Sequence, residues 1–133
     1  MAAVKYGWVT VRAPQGALGA GSECWAKTAS GNVARVRLEK AASSGARWHG
    51  LNRDTGRDVQ VTKVWHAPAA GAAIIGRTAT GETFPAHHQV VDGAPSRTVP
   101  RLTVVLDEPL TYAGQVWPAG KALRVLPERV TLA

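Results

Sequence analysis

The stretch CWAKTASGNVARVRL (residues 24–38) contains the pattern that decides the fold. Two runs of strand-forming residues flank residues 28–31, and the final glycine of that turn can adopt a left-handed backbone without strain. This spacing predicts a β-hairpin closed by a type I turn and an αL bulge. The second run alternates between an apolar face and a charged face, and the charged face holds Arg35 and Arg37.

Other segments of the chain repeat this hairpin pattern. A second hairpin is predicted from residues 47–51 and 57–65, where alternation places Val59, Val61 and Trp65 on one face. A third begins with residues 74–77 and returns from residue 83. Pro85 is expected to end its strand early or to place it at a sheet edge, because proline has no N–H to donate. Further strands are predicted at residues 6–12 and 101–106 and as two short strands within 115–126.

Short strands separated by turn signals, in a chain of 133 residues, favour an all-β fold. We expect a small SH3-like or OB-like barrel, or two packed β half-barrels built from hairpins. Residues 1–133 are interpreted as a single domain with two possible sub-units, 1–67 and 71–133. The motif at 27–31 recurs at 77–81, which indicates either a duplication or convergence on one turn chemistry.

The charge of the chain is unevenly distributed. The net charge is +7, and residues 1–66 hold ten Lys or Arg against four Asp or Glu, whereas residues 67–133 hold six against five. A positive field of this kind attracts polyanions, so the expected partner is nucleic acid or an acidic protein surface.

Aromatic residues, including Tyr6 and Trp25, interleave with this basic half, as in proteins that stack bases on rings while Arg and Lys contact phosphates. The function predicted is a non-catalytic binding module that contacts nucleic acid. The predicted contact residues are Lys27, Arg35, Arg37, Arg47, Arg53, Arg57, Trp8 and Trp48.

The alternative prediction is a structural or assembly protein, for example a small phage virion or capsid-associated component. Its short strands, its Gly- and Ala-rich connections and the edge-marking Pro85 fit docking through edge strands and loops. A homo-oligomer or a larger assembly would then be expected.

Catalytic and metal chemistry are not predicted. No serine lies in a nucleophile elbow, and no phosphate loop or dinucleotide fingerprint is present. A set of His87 and His88 with Cys24, His49 or His66 lacks the paired spacing of zinc ligands. No enzyme activity, metal or cofactor is therefore expected.

The cellular location follows from two features of the sequence. Cys24 is the only cysteine, which excludes an internal disulfide, and no apolar segment is long enough to cross a bilayer. We expect no membrane association and a cytoplasmic or intravirion protein that is not secreted.

Overall fold

The structure is a computed structural model and describes residues 5–10, 21, 23–39, 48–91 and 93–133. Within these ranges the secondary structure consists of β-strands and one 3₁₀ helix, which confirms the predicted all-β class. No helix there has the length and hydrophobicity needed to cross a membrane. The strands are β1 Gly7–Thr10, β2 Glu23–Thr28, β3 Val33–Glu39, β4 His49–Asn52, β5 Asp58–His66, β6 Ala73–Arg77, β7 Thr83–Gln89, β8 Leu102–Leu106, β9 Leu110–Tyr112, β10 Gln115–Trp117, β11 Ala122–Val125 and β12 Val130–Leu132, and the 3₁₀ helix is Pro127–Arg129.

The chain divides into two compact units. Unit 1 comprises Met1–His66 and Gly93–Val99, and unit 2 comprises Ala67–Asp92 and Pro100–Ala133. The segment Gly93–Val99 therefore belongs to unit 1, although it follows the first two strands of unit 2, β6 and β7. The single-domain organisation of residues 1–133 stays a prediction.

Unit 1 is built around a closed barrel. Its sheet has the order β1-β5-β2-β3-β4, and β4 also pairs with β5, so β2, β3, β4 and β5 close into a four-stranded ring. Alternating residues of these strands fill the interior, as the pleat requires. The buried core consists of Val9, Cys24, Ala26, Ala34, Val36, Leu38, Val61 and Val64.

A β-bulge in β5 changes which side chains point outward. The pairing of β5 with β2 shifts between Lys27 and Thr28, and Thr62 is the additional residue. Its hydroxyl donates a hydrogen bond to the Lys27 carbonyl at 3.2 Å. Because the bulge inserts one residue, Val61 and Val64 both face the core and Trp65 lies on the outer side. The prediction that Trp65 shares a face with Val61 is therefore wrong.

Unit 2 is a five-stranded antiparallel sheet with the order β11-β8-β7-β6-β12 and a separate β9–β10 hairpin. The 3₁₀ helix Pro127–Arg129 leads into β12, which pairs with β6. One face of β6, β7 and β8 supplies most of the buried residues. They are Ile74, Phe84, Ala86, His88, Leu102, Val104, Leu106 and Val130.

Pro85 does not end its strand or place it at an edge, as had been predicted. Strand β7 continues through Pro85 and lies between β6 and β8. The Pro85 carbonyl accepts a hydrogen bond from the N–H of Asp107 at 3.1 Å, one residue beyond the end of β8. The nitrogen of Pro85 faces the same side, so its missing N–H falls where β8 has ended and removes no bond from β6.

The turns of the two predicted repeats have the same hydrogen bonds. The N–H of Gly31 donates to the Thr28 carbonyl at 2.9 Å, and the N–H of Gly81 donates to the Thr78 carbonyl at 3.0 Å. Both glycines have positive φ angles, as the predicted αL position requires. Duplication and convergence on one turn chemistry would both produce this likeness.

Candidate functional site

Three tryptophans lie side by side on the outer face of unit 1. Trp8 on β1 is the direct cross-strand partner of Trp65 on β5, and their ring centroids are 5.3 Å apart with planes inclined at 66°. Strand β2 pairs with the other side of β5, and its Trp25 points to the outer face because both neighbours, Cys24 and Ala26, are buried. All three rings are partly exposed. Adjacent strands β1, β5 and β2 therefore carry a row of indoles.

Basic side chains flank this row of rings. Lys27 and Lys63 are direct cross-strand partners on β2 and β5. The Lys27 ammonium lies 5.1 Å from the centroid of the Trp8 ring, and the Arg35 guanidinium lies 5.6 Å from that of Trp25. Both distances are in the range of cation–π attraction. The tryptophan-lysine face, as we call this surface, consists of Trp8, Trp25, Lys27, Arg35, Lys63 and Trp65.

The segment Gly93–Val99 borders the tryptophan-lysine face. The indole N–H of Trp8 donates to the Ser96 carbonyl at 2.9 Å, and the ammonium of Lys27 donates to the Arg97 carbonyl at 2.7 Å. These bonds hold the segment beside β1 and β2. They also bring the charge of Arg97 close to that of Lys27.

Positive charges repel one another on this face. Burial lowers the pKa of Lys27, and the charges of Lys63 and Arg97 lower it further. Within the described ranges, none of these three cations, nor Arg35, forms an ion pair with a carboxylate. Like charges directly opposite on paired strands destabilise a sheet, so this cluster is an energetic cost to the folded protein.

Three of the four acidic side chains of unit 1 are engaged elsewhere. Glu23 forms an ion pair with Arg53 at 3.1 Å, and Glu39 forms one with Arg37 at 4.0 Å. Asp58 binds the imidazole of His49, described below. The fourth, Asp54, is exposed in the turn between β4 and β5 and forms no ion pair with a described cation of the tryptophan-lysine face.

The structure brings together three of the predicted contact residues, Trp8, Lys27 and Arg35. Arg37 and Arg53 lie in the ion pairs just described. Arg57 is exposed at the end of the turn between β4 and β5. Arg47 lies outside the described residues.

Trp48 is placed differently from the three tryptophans of the face. It precedes β4 and packs against the core cluster of the barrel. Its carbonyl accepts a hydrogen bond from the N–H of Val61 at 2.9 Å. A ring in this position supports the interior, and it is not part of the row formed by Trp8, Trp65 and Trp25.

Sequence reasoning missed Lys63 and Trp65 as members of this surface and Arg97 as a residue of the segment that borders it. The bulge at Thr62 is what turns Trp65 outward, and regular alternation contains no signal for it. Arg97 joins through a segment that is distant in sequence. The only local feature that could have indicated Lys63 and Trp65 is their spacing of two residues, which places a lysine and a tryptophan on one face of a regular strand.

A second cluster of polar groups joins β3, β4 and β5. The Nδ1 atom of His49 lies 2.8 Å from an Asp58 carboxylate oxygen and 3.7 Å from one of Glu39. The ligand-type atoms of these three residues lie within 4.8 Å of one another. The Arg37 guanidinium lies 4.0 Å from Glu39, so we interpret the cluster as one ion pair beside a hydrogen bond between His49 and Asp58.

Comparisons with protein-family models, with curated proteins and with solved structures found no match to this chain.

Proposed function

We propose that this protein is a non-catalytic module that binds single-stranded nucleic acid through the tryptophan-lysine face. The observation that carries the proposal is that Lys27, Lys63 and Arg97 stand together without a described acidic partner, beside partly exposed indoles. A phosphate backbone would relieve the repulsion among these cations. The rings of Trp8, Trp65 and Trp25 would then supply stacking surfaces.

The physical terms of this proposal are those of single-strand binding in general. Stacking of a base on an aromatic ring contributes about 1 to 3 kcal/mol per base and tolerates any sequence. Charge neutralisation adds a term that weakens as salt rises, because bound phosphates release counterions. The protein would act in the cytoplasm or within a virion, where nucleic acid is accessible.

The test is equilibrium binding of a fluorescently labelled single-stranded oligonucleotide at low salt. The variant Lys63→Gln/Arg35→Gln removes two charges from the face. The control Arg53→Gln/Arg57→Gln removes two charges from the same unit at residues that are not among the six members of the face. We expect the first variant to bind about tenfold more weakly, and the control to stay within about twofold of the parent protein.

The salt dependence of oligonucleotide affinity distinguishes direct phosphate contacts from a general effect of the protein's net charge. Loss of two phosphate contacts should reduce the slope of log affinity against log salt by about 1.4 in the face variant. Absence of binding at low salt, or equal losses in the two double variants, would overturn the proposal. Preference for an acidic protein over the oligonucleotide would overturn it as well.

A second candidate function is docking within an assembly, which exposed apolar side chains favour. Leu132 on the outermost strand β12 is 55% exposed, and Val90 and Val91 after β7 are 62% and 57% exposed. Edge strands with exposed apolar residues invite pairing with another chain. Light scattering coupled to size-exclusion chromatography should then show a defined oligomer, and a monomer at all accessible concentrations would contradict this candidate.

A further inference from the structure

Unit 2 contains a cleft of about 200 Å³ with an apolar interior and a basic rim. Phe84 on β7 contributes to the interior, and its ring is buried. The rings of Tyr112 on β9 and Trp117 on β10 line the same cleft and are partly exposed. Its basic residues are Arg77, Arg101, Arg124 and Arg129.

Most of the positive charges of unit 2 lie at this cleft, and its described negative charges lie elsewhere. Over residues 67–92 and 100–133 the chain has five basic and five acidic residues, so the unit carries no net charge. Four of the five basic residues line the cleft, and the fifth is Lys121. None of the acidic residues that the structure describes in unit 2 lines it. A neutral unit therefore presents one strongly positive surface.

The arginines of the cleft have no acidic neighbour across the sheet. Arg124 on β11 is paired with Thr103, and Arg77 on β6 is paired with Thr83. Cross-strand positions of this kind stabilise a sheet when they hold opposite charges, but here they hold threonine. In the part of unit 2 that is described, none of the four guanidinium groups takes part in an ion pair.

We infer that this cleft binds a nucleoside phosphate, either as a free nucleotide or as the terminal nucleotide of a strand. Guanidinium groups bind phosphate oxygens through paired hydrogen bonds, and Arg is preferred over Lys where such planar recognition matters. The rings of Tyr112 and Trp117 supply a surface for the base. At about 200 Å³ the cleft is smaller than a pocket that encloses a whole nucleotide, so one aromatic ring would enter it and the sugar and phosphate would lie along its basic rim. This inference does not depend on the tryptophan-lysine face, which lies in unit 1.

The first measurement compares ADP with adenosine, which has the same base and sugar and no phosphate. The indole N–H signal of Trp117 in a nitrogen-15 correlation spectrum, assigned with Trp117→Phe, is the local readout. We expect ADP to shift this signal in a saturable manner, and adenosine to shift it much less at equal concentration. Equal responses to the two compounds would overturn the inference.

The second measurement uses matched charge removals on unit 2. Arg124→Gln is expected to weaken ADP binding by about tenfold, because the variant loses a charged hydrogen bond to a phosphate oxygen. Lys121→Gln removes the one basic residue of the unit outside the cleft and should leave the affinity within about twofold. Thermal unfolding of both variants verifies that they are folded, and Arg101→Gln replaces Arg124→Gln if that variant is not. Equal losses in the cleft variant and in Lys121→Gln would count against the inference.

Three further measurements test whether the ligand is a free nucleotide or a strand end, and whether the cleft binds independently of the tryptophan-lysine face. An oligonucleotide with a terminal phosphate that binds more tightly than ADP, and loses affinity without that phosphate, would identify the strand end as the source. An acidic peptide that shifts Trp117 when neither nucleotide form does would overturn the inference. Lys63→Gln/Arg35→Gln should leave ADP affinity unchanged, so that failure of either site is recognised separately.

Discussion

The ring of Phe84 lies over Gly76, its cross-strand partner in the β6–β7 hairpin. A Cβ atom at Gly76 would stand 2.9 Å or less from three carbons of that ring. Phe84 is buried, so its ring would have to move to admit a methyl group at Gly76. Gly76 is therefore required by close packing, and its φ angle is not positive.

Gly76→Ala should destabilise the protein by about 1 to 3 kcal/mol, the range observed for overpacked cores. Chemical denaturation gives the free energy of unfolding. Combining Gly76→Ala with Phe84→Leu should restore part of the loss relative to the sum of the single changes, because the smaller side chain makes room for the new methyl group. Strict additivity of the two changes would show that the ring and the glycine do not interact.

Lys63→Gln should raise both the pKa of Lys27 and the stability of the protein. The charge of Lys63 is one cause of the lowered Lys27 pKa, and relief of cross-strand repulsion is worth roughly 0.2 to 1 kcal/mol. Carbon-13 NMR of the Lys27 side chain measures the pKa, and denaturation measures the stability. A gain in stability together with weaker oligonucleotide binding is expected. A loss of stability would contradict the repulsion that we describe.

The stability of unit 2 should fall as the pH is lowered through the titration range of His88. Burial lowers the pKa of His88 from its ordinary value of 6.5, and backbone hydrogen bonding at Ala69 and Pro68 opposes this shift. Its Nδ1 atom is buried and has no hydrogen-bond partner among the residues that the structure describes. Above pH 6.5 the ring is neutral in both states. Below it the unfolded chain binds the proton first, so the folded state loses stability until its own lowered pKa is reached.

Denaturation at several pH values between about 8 and 5.5 tests this dependence. His88→Gln should show a shallower decline than the parent protein over this window. His87→Gln, at the partly exposed neighbouring position, is the control and should still show the contribution of His88 to the pH dependence of stability. Identical slopes in the parent protein and in His88→Gln would contradict the assignment.

Cys24 should resist thiol reagents while the protein is folded. Its side chain is buried, and burial raises the pKa of the Cys24 thiol, with the charge of Arg35 acting in the opposite direction. The thiolate is the reactive form, so both access and ionisation limit the reaction. A colorimetric disulfide reagent should modify the thiol slowly in native buffer and rapidly in denaturant. Fast, complete labelling of folded protein would contradict this prediction.

Local turn chemistry made the hairpins predictable. Gly31 and Gly81 close turns in which a few neighbouring residues decide the backbone, and each hairpin formed where its turn predicted. Strand alternation likewise placed Arg35 on the outer face, because residues of one regular strand alternate whatever surrounds them. The same reasoning failed at Pro85, whose tolerance depends on where β8 ends.

The candidate sites were only partly predictable because they depend on partners distant in sequence. Lys27 and Trp8 were predicted to be contact residues, whereas Trp65 lies on the same surface because of the bulge at Thr62. The cleft of unit 2 was hidden because a nearly neutral half gives no signal of charge segregation. Counting charges along the chain cannot detect that separation.

The sequence by itself determined the all-β class, the hairpins and the outward position of Arg35, since these depend on interactions among residues a few positions apart. Only the tertiary structure decided that Gly93–Val99 returns to unit 1 and that four arginines share one cleft. Those arrangements depend on strand register and on packing between distant segments. No pattern among residues close together in the sequence indicates these arrangements.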